Sequence, residues 1–529
     1  MLPSERTRYP SARSTVFGDM GVATSEPLAV EAGMAVLRSG GNAVDAAIAT
    51  AAVLTLTEPV SNGLGSDAFA LIWDGSAVHG LNASGRAPAG WTLDRFAGLE
   101  KMPKRGWDTV TIPGAVSAWS AMSRRFGAIG FADCLAPAIR HAQEGFGIGP
   151  VTATSWAKQA EELKTQDGFA AHFMPGGATP VIGARFVLPG AADALRLIAD
   201  TEGAAFYTGP IAQAIVDRSQ AAGGVHTMDD FAAHTADWVD PVTNSAFGID
   251  VHEISPNGQG IAALVALGIL DRLQLPDDPD SVEAVHLMIE AVKLALADLY
   301  AHVGDPDAMV VSPADMLDPA YHDARAALID RAEAKCVETG LARPGGTVIL
   351  TTADRNGMMV SFIQSNYQGF GSGCVVAPYG ISLQNRGTAF CLDPGHANVV
   401  GPGKRPFHTI IPGFATKDGE ALMTFGVMGG PIQAQGHAQL VTRLMRYGQS
   451  LQTAIDAPRF CVLAGGEVAM ETSWPPELVN GLKSMGHAIA MEAPEVGFGF
   501  GGAQAIYRLP NGLLAAGSDP RKDGYAAVG

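Results

Sequence analysis

The sequence lacks the features that define several large classes of protein. Its five cysteines are widely spaced and odd in number, and no CxxC pair occurs. This argues against a disulfide scaffold and against a zinc site built from cysteine. Charged residues make up only 17% of the chain and leave a formal net charge of −18. Phosphate backbones repel such an acidic chain, so we expect no nucleic-acid partner.

Long apolar runs are missing as well. The first stretch, MLPSERTRYPSARSTVFGDMG, contains charges but not the apolar segment of a secretory signal. The longest apolar runs, such as AIATAAVLTL, are too short and too rich in alanine to span a bilayer. We therefore expect a cytoplasmic protein without a membrane partner.

Glycine and apolar residues are abundant instead. The 64 glycines are about 12% of the 529 residues, above the usual ~7%, and they follow no period. Hydrophobic residues make up 47% of the chain, enough to bury a large interior. At this length we expect either several units or one large interleaved unit.

The predicted elements change in character near residue 345. Before it, helices dominate: two across 27–56, with Asn42 capping the second, several in 110–235 and a long one in SVEAVHLMIEAVKLALADLYAHVGD. The charged, glycine-containing stretch 323–345 predicts an exposed linker.

After the linker, strands dominate. TVILTTADRNGMMVSFIQ predicts a hairpin that turns at DRNG, and QAQGHAQLVTRLMRYG predicts a helix. Further strands are predicted in AFCLD, HTIIPGFATKDGEALMTFG, GEVAME and AIYRLPNGLLAAG. This order favours an α+β fold in which helix layers pack on antiparallel sheets.

A threonine stands where the linker meets the first of these strands. Gly345 and Gly346 leave the backbone before Thr347 unhindered. An amino-terminal threonine carries both a nucleophile and a base, because an α-amine has a pKa near about 8. An internal threonine has no such amine, so the chain would first have to be cut between Gly346 and Thr347. On these residues alone, an ordinary turn into a strand accounts for the pattern equally well.

The motifs around Thr347 resemble, in order and almost from end to end, those of the gamma-glutamyltransferase family of N-terminal-nucleophile hydrolases. They are GVATS (21–25), SGGNAVDAAIATAAVLTLTEPVSNGLGSDAF (39–69), TIPGAVSAW (111–119), LAPAIRHAQEGF (135–146), TVILTTADRNGMMVSF (347–362), FGSG (370–373), GISLQN (380–385), PGKRP (402–406), VMGG (427–430), APRF (457–460) and SDPRKDG (518–524).

This resemblance implies an αββα sandwich, in which two stacked antiparallel sheets lie between helix layers. It also implies one precursor that yields a large fragment, 1–346, and a small fragment, 347–529. The two fragments would stay associated as one interleaved catalytic unit, and a further dimerisation of that unit is left open. The resemblance implies no cofactor.

Four residues take catalytic roles by this resemblance. Thr347 is the nucleophile, and Ser365 is a second hydroxyl that assists proton movement. Gly429 and Gly430 lend backbone N–H groups to an oxyanion hole before a helix. Without the resemblance, Ser365 is equally consistent with a strand serine bonded to backbone, and the two glycines with a plain strand-to-helix turn.

The substrate-binding positions depart from the family pattern. Ser84 stands where the family has an arginine for the substrate carboxylate. Arg86 follows two residues later and could share its face on an extended segment, or be a solvated loop arginine. In the stretch that holds Asn385 and Arg386, Ala389 replaces the acidic residue that binds the substrate amine. A cation thus replaces an anion, which favours a carboxylate or an amide over an ammonium group.

Three more positions near the expected pocket differ from the family. Tyr367 replaces an asparagine that contacts the substrate carboxylate. Where the family has two serines, Thr409 keeps one hydroxyl, and His408 is either a hydrogen-bond donor in the site or a satisfied buried histidine. The histidines His396, His408 and His437 show no HExxH or comparable spacing, so we expect no metal.

The leading hypothesis is an autoprocessing threonine amidohydrolase that acts on a small amide bearing an anionic group. The first alternative is a true gamma-glutamyl hydrolase or transpeptidase. The second is an unprocessed, non-catalytic family member, because Val348 and Ile349 differ from the residues that usually follow the nucleophile. If Thr347 is not the nucleophile, Thr351 or Thr352 is the next candidate.

Overall fold

Two seven-stranded sheets lie face to face between helices in the computed structural model, which describes residues 9, 13–166, 168–335, 346–493 and 499–529. The described strands are β1 (Val16–Gly18), β2 (Gly21–Thr24), β3 (Asp67–Trp73), β4 (Val78–Ala83), β5 (Phe146–Gly147), β6 (Arg185–Phe186), β7 (Asp237–Val239), β8 (Val242–Ala246), β9 (Ile249–Glu253), β10 (Gly346–Ala353), β11 (Met359–Tyr367), β12 (Val375–Val376), β13 (Ile381–Ser382), β14 (Gly413–Lys417), β15 (Glu420–Met428), β16 (Phe460–Val462), β17 (Val468–Glu471), β18 (Ile489–Glu492), β19 (Gly502–Arg508), β20 (Leu514–Ser518) and β21 (Tyr525–Val528).

The helices form the outer layers. The described α-helices are α1 (Pro27–Arg38), α2 (Ala43–Thr57), α3 (Ala115–Phe126), α4 (Phe131–Glu144), α5 (Pro150–Leu163), α6 (Phe169–Phe173), α7 (Pro189–Asp200), α8 (Ala204–Tyr207), α9 (Pro210–Ala221), α10 (Met228–Ala232), α11 (Gly260–Arg272), α12 (Val282–His302), α13 (Pro313–Met316), α14 (Pro319–Ala326), α15 (Ile432–Val441), α16 (Leu451–Asp456) and α17 (Pro476–Ser484). None of the described helices combines the length and the apolar character needed to cross a membrane.

Both large sheets are antiparallel throughout. The first has the strand order β1-β20-β19-β15-β14-β9-β8, and the second has the order β21-β2-β10-β11-β3-β4-β7. Both sheets therefore combine strands from before and after residue 346. The helices α1 and α2 pack on the second sheet, while α11 and α15 pack on the first. The expected αββα sandwich of the α+β class is confirmed.

Side chains alternate between two cores along the central strands. On β3, Phe69 and Leu71 face the core between the sheets, and Ala70 faces the core under α2. On β10, Ile349 takes the first direction and Val348 takes the second. This period of two is the ordinary geometry of a strand, and it directs Thr347 to the same side as Ile349, between the sheets.

The predicted capping of the second helix is confirmed. The Asn42 side chain accepts hydrogen bonds from the backbone N–H groups of Val44 and Asp45, at 2.9 and 3.0 Å, and Asp45 accepts one from the Asn42 N–H in return. All residues of α2 are buried, which explains why the helix consists mostly of alanine, valine and other uncharged residues.

Two of the predicted strands are wrong. AFCLD, from residue 389, is preceded by a 3₁₀ turn, Arg386–Ala389, and has only an isolated bridge between Cys391 and Val399. The residues HTII, 408–411, are not a strand either, because their backbone bonds go elsewhere: His408 pairs with Asn257 and Gln259. Strand-prone composition is not sufficient without a neighbouring strand edge.

The other predicted elements after the linker are confirmed in β10, β11, β14, β15, β17, β19, β20 and α15. The predicted linker begins inside α14, and residues 327–335 follow without a strand or helix. Its remaining residues, 336–345, lie outside the described part of the chain.

Candidate active site

Thr347 lies at an irregularity in the strand pairing. Gly346 is opposite Tyr367, whereas Val348 is opposite Gln364, so the register shifts by one residue between them. The extra residue lies in β11, where Ser365 and Asn366 together face Thr347, and such a bulge bends the strand that carries it. The bond that the sequence predicts to be cut therefore lies where the strand is least regular.

The Thr347 hydroxyl is buried and has two polar neighbours. Thr347 Oγ1 donates to Ser365 Oγ at 3.3 Å, and Gln433 Nε2 donates to Thr347 Oγ1 at 3.3 Å. Gln433 Oε1 in turn accepts from the Ile411 N–H at 3.0 Å, which fixes the amide with its nitrogen toward the threonine. Gln433 was not predicted from the sequence; its position shortly after the glycine pair was the available signal.

Ser365 connects the threonine to the bond before it. Its Oγ donates to the carbonyl oxygen of Gly346 at 2.6 Å. Ser365 Oγ also accepts from the Tyr367 N–H at 2.7 Å and from Arg386 Nη2 at 2.9 Å. Ser365 therefore polarises the carbonyl of the predicted scissile bond while it receives a hydrogen bond from a guanidinium group.

Arg386 is fully buried within this group. Its Nη1 donates to Thr409 Oγ1 at 2.8 Å, and its guanidinium lies 4.5 Å from the centre of the Tyr367 ring. Burial lowers the pKa of Arg386 to about 10, so the side chain remains a cation at neutral pH. Its Nε atom has no hydrogen-bond partner among the described residues.

Tyr367, the last residue of β11, has a left-handed backbone conformation. Its φ is +74°, a region that costs a residue with a side chain about 1–2 kcal/mol. The strained position turns the chain at the end of β11 and places the ring against the Arg386 guanidinium. Strain of this kind concentrates at functional sites.

The glycine pair forms the turn between β15 and α15. Gly429 has a φ of +125° and Gly430 a φ of +75°, which glycine adopts without a steric penalty. The carbonyl oxygen of Gly430 accepts from Gln259 Nε2 at 2.9 Å and from the Gln433 N–H at 3.2 Å. The turn is thus tied to the residue that holds the Thr347 hydroxyl.

His408 faces a carboxylate that was not predicted from the sequence. His408 Nε2 donates to Asp67 Oδ2 at 3.1 Å, and both side chains are completely buried. Burial raises the pKa of Asp67 to about 7 and holds the pKa of His408 well below its ordinary value. An acid at the start of the apolar strand DAFALIW was the available signal.

The structure does not bring Ser84 and Arg86 into hydrogen-bond contact with the Thr347 group. Ser84 Oγ donates to Asn82 Oδ1 at 2.7 Å in a buried amide network. Arg86 is partly exposed, lies 3.6 Å from the Asp237 carboxylate and donates to the Gly403 carbonyl at 3.2 Å. Of the two alternatives given for Arg86, this position matches the solvated loop arginine.

Asn385 has a supporting position. Its Oδ1 accepts from the Gln368 N–H at 3.1 Å, and its Nδ2 donates to the Lys104 carbonyl at 2.9 Å.

The three histidines considered as metal ligands have separate partners. His408 bonds to Asp67, His396 to the Tyr300 carbonyl and His437 to Glu253.

A cavity of about 310 Å³ adjoins the group. Tyr367 and Thr409, which both contact Arg386, form part of its wall. Its lining residues are Glu100, Lys101, Met102, Tyr300, Val303, Tyr367, Thr388, Ala389, Phe390, Cys391, Leu392, His396, Asn398, Phe407, Thr409 and Pro431.

Known proteins resemble this chain along almost its whole length. The sequence profile described as gamma-glutamyltranspeptidase matches residues 29–529. The oxamate amidohydrolase proenzyme of Klebsiella pneumoniae is 37% identical, over 94% of this chain and 96% of that protein. The glutathione hydrolase-like YwrD proenzyme of Bacillus subtilis is 36% identical, over 95% and 97%.

A solved structure gives the same relationship in three dimensions. The cephalosporin acylase of Bacillus halodurans superposes with a TM-score of 0.94 at 43% sequence identity, and the match covers 100% of this chain and 99% of that one. Agreement in sequence, fold and order of motifs leads to one conclusion: the chain belongs to the gamma-glutamyltranspeptidase family of N-terminal-nucleophile hydrolases.

Proposed function

We propose that the chain is an autoprocessing amidohydrolase that cuts its own Gly346–Thr347 bond and then uses Thr347 to hydrolyse a small amide with an anionic group. One observation carries this proposal. Ser365 joins the Thr347 hydroxyl, the Gly346 carbonyl and the Arg386 guanidinium in a single hydrogen-bonded group.

The cleavage step uses that group in the precursor. Thr347 Oγ1 attacks the carbonyl carbon of Gly346, the bond from that carbon to the Thr347 nitrogen breaks, and an ester forms while the hydroxyl proton passes to that nitrogen. The Ser365 O–H, which donates to the Gly346 oxygen at 2.6 Å, stabilises the negative charge that develops there. Water then hydrolyses the ester and leaves fragments 1–346 and 347–529, the second with a free threonine amine.

Turnover repeats the same chemistry on a substrate. The neutral α-amine of Thr347 accepts the hydroxyl proton, and Oγ1 attacks the substrate carbonyl. Gly429 and Gly430 supply backbone N–H groups to the oxyanion, and Gln433 orients the threonine. The leaving amine departs with a proton, and water then releases the acid from the acyl-enzyme.

Arg386 supports the assignment of an anionic substrate. Arg386 is a buried guanidinium that contacts the hydroxyl of Thr409 and the ring of Tyr367, both in the cavity wall, so it places a positive charge directly behind that wall. The Klebsiella relative is named for oxamate, a small amide with a carboxylate beside the reacting carbonyl. Ala389 takes the sequence position of the family's ammonium-binding acid in the cavity wall, which also contains Glu100 and Lys101. The loss of the family's own acid disfavours a gamma-glutamyl group.

Denaturing gel electrophoresis of the purified protein tests the cleavage. We expect two bands, the smaller beginning TVILTT by amino-terminal sequencing, and a single band for Thr347→Ala. The matched controls are Thr351→Ala and Thr352→Ala, which remove neighbouring hydroxyls of the same strand and should still be cut. Cleavage of Thr347→Ala at the same bond would rule out the assignment.

Ammonia release tests the substrate class. The mature protein should release ammonia from oxamate faster than from oxamide, its uncharged counterpart of similar size. Turnover of a gamma-glutamyl anilide with higher kcat/KM than oxamate would instead favour a gamma-glutamyl enzyme.

A further inference from the structure

Asp67 lies beside the Thr347 group. It begins β3 and lies directly opposite Ser365 in the antiparallel pair of β3 and β11. Side chains that are directly opposite lie on the same face, with their Cβ atoms about 5 Å apart. Asp67, Ser365 and Thr347 therefore lie side by side across three neighbouring strands of the second sheet.

The buried cation of this group needs a counter-charge. Arg386 donates to the hydroxyls of Ser365 and Thr409, and a guanidinium buried among neutral groups is strongly destabilised. The Asp67 carboxylate is not in direct contact with Arg386 but acts on it through space: its charge raises the pKa of Arg386, whereas Arg386 lowers that of Asp67 against the effect of burial.

His408 fixes the carboxylate in its place. Its Nε2 donates to Asp67 Oδ2 at 3.1 Å, and its Nδ1 lies 3.4 Å from the Ile410 N–H. Since the pKa of His408 lies well below its ordinary value, the ring is a neutral donor that adds no positive charge. Asp67 Oδ1 accepts from the Gly114 N–H at 3.2 Å, so both carboxylate oxygens are held.

We propose that Asp67 is a positioning residue that keeps Arg386 charged beside Ser365, and that it takes up a proton when an anion binds to Arg386. This rests on the proposed function in taking Arg386 as the anion-binding group. With an anion bound, one cation faces two anions, and the closed site relieves the excess charge by protonating Asp67 from solvent.

The surroundings of Asp67 favour this response. The charged and titratable groups that face it are Arg386, Arg405, His408 and Tyr207. Arg405 is already paired with Asp237 at 2.8 Å, and burial raises the pKa of Tyr207 far above neutrality. Asp67, with a pKa of about 7, is the member of this set that can exchange a proton near neutral pH.

Calorimetric titration with oxalate tests the proposal without requiring turnover. The mature protein is titrated at pH 7 in two buffers that differ in ionisation enthalpy, and the difference gives the protons taken up on binding. We expect uptake of a fraction of one proton by the wild type, none by Asp67→Asn, and uptake restored in Asp67→Glu.

The matched control is Glu253→Gln. Glu253 is another fully buried carboxylate paired with a histidine, His437, at 2.6 Å, and its pairing does not involve Arg386. This variant should retain proton uptake. No binding of oxalate to the wild type, unchanged uptake in Asp67→Asn, or equal loss in Glu253→Gln would each overturn the proposal.

A second readout covers the case in which Asp67→Asn does not fold. His408→Leu removes the donor that stabilises the Asp67 carboxylate, so the pKa of Asp67 should rise further. The KM for oxamate in the wild type should increase as pH rises above about 7, since Asp67 is then ionised, whereas kcat changes less. In His408→Leu this increase should move to higher pH, and an unchanged profile would contradict the proposal.

If oxalate binds with proton uptake but oxamate is not hydrolysed, the proposed function fails and the role of Asp67 stands.

Discussion

Ser365 contacts each group that the cleavage step requires. One hydroxyl oxygen lies beside the attacking oxygen of Thr347, the carbonyl oxygen of Gly346 and a guanidinium nitrogen of Arg386. These three contacts are more than a strand serine bonded only to backbone would make.

Replacing Ser365 by alanine should therefore slow cleavage of the precursor. Removing one donor to a developing oxyanion costs about 10²–10³ in rate, so we expect the uncleaved band to persist about 100-fold longer on a time course of denaturing gels. Ser361→Ala is the control, because Ser361 lies on the same strand and is buried but bonds to the Phe425 carbonyl. Equal cleavage rates in the two variants would show that Ser365 has only a structural role.

The residues around Thr347 were predictable from sequence to different extents. Ser365, Arg386 and Thr409 each follow an ordered motif by one to three residues, and the structure brings them together. Gln433 and Asp67 were missed, because their positions follow from which strands and helices become neighbours in the sheets. Arg86 shows the opposite effect: it occupies a suggestive sequence position, but the chain directs it toward Asp237.

At the scale of elements, the strand-to-helix turn at Gly429 and Gly430 connects the proposed oxyanion donors to the helix that contacts Thr347. It follows β15, a central strand of the first sheet, and precedes α15, which carries Gln433. The backbone of the turn therefore determines the positions of both the proposed oxyanion donors and the Gln433 amide that faces Thr347.

Gly430→Ala should reduce turnover by more than its loss of stability explains. A side chain at a φ of +75° costs about 1–2 kcal/mol, and relief of this strain would shift the adjacent N–H group. Gly512→Ala is the control: its φ is +87° with open space around it, in the β19–β20 hairpin. We expect similar decreases in thermal unfolding temperature but lost ammonia release from oxamate only in Gly430→Ala; retained activity there would contradict the assignment.

Helices and strands were predicted correctly where a turn or capping motif marked them in the sequence. The hairpin of β10 and β11 was predicted from its DRNG turn, and α2 from its capping asparagine. AFCLD failed because its aromatic and apolar residues face a cavity rather than a neighbouring strand. Residue types that favour strands are also those that line a pocket, so composition could not separate the two.

At the scale of the whole molecule, the two proposed fragments share their sheets. β10 and β11 lie between β2 and β3 of the larger fragment. A second connection lies outside the sheets, where His487 pairs with His286 of α12 at 2.8 Å. Separating the fragments would expose unpaired backbone groups along both edges of this pair of strands.

The fragments should therefore remain associated after cleavage. We expect them to co-elute in native size-exclusion chromatography at the mass of the intact chain, 54.7 kDa, or at a multiple of it. The uncut Thr347→Ala chain provides the reference volume, and urea should be needed to separate the fragments. Two separate peaks in native buffer would contradict the interleaved arrangement.

Stability at low pH should depend on one buried carboxylate. Asp519 lies 2.7 Å from Arg459 and 3.1 Å from Arg521, and these charges hold its pKa far below the ordinary value of about 3.9. The contribution of Asp519 is complete above that ordinary pKa and is lost progressively as pH falls below it.

Asp519→Asn should accordingly destabilise the protein by about 3–5 kcal/mol at pH 7, measured by urea unfolding, and the difference from wild type should shrink below about pH 4. Asp323→Asn removes a largely exposed partner of Arg272 and should cost less than about 1 kcal/mol. A pH-independent difference for Asp519→Asn would show that its charge is not the cause.

The path of the chain at the edge of the second sheet has a consequence for how the nucleophile could be produced. β21 pairs with β2, and Gly529 exchanges backbone hydrogen bonds with Asp19 and Met20. Gly529 thus lies beside the turn that follows β1, and a peptide that runs the length of this three-residue strand could join residue 529 to the residues before Val16. A circularly permuted gene could then begin its coding sequence at Thr347, and removal of the initiator methionine would expose the threonine amine during synthesis. In such a protein, the proposed self-cleavage would no longer be a precondition for catalysis, and the two roles proposed for Thr347 could be selected independently.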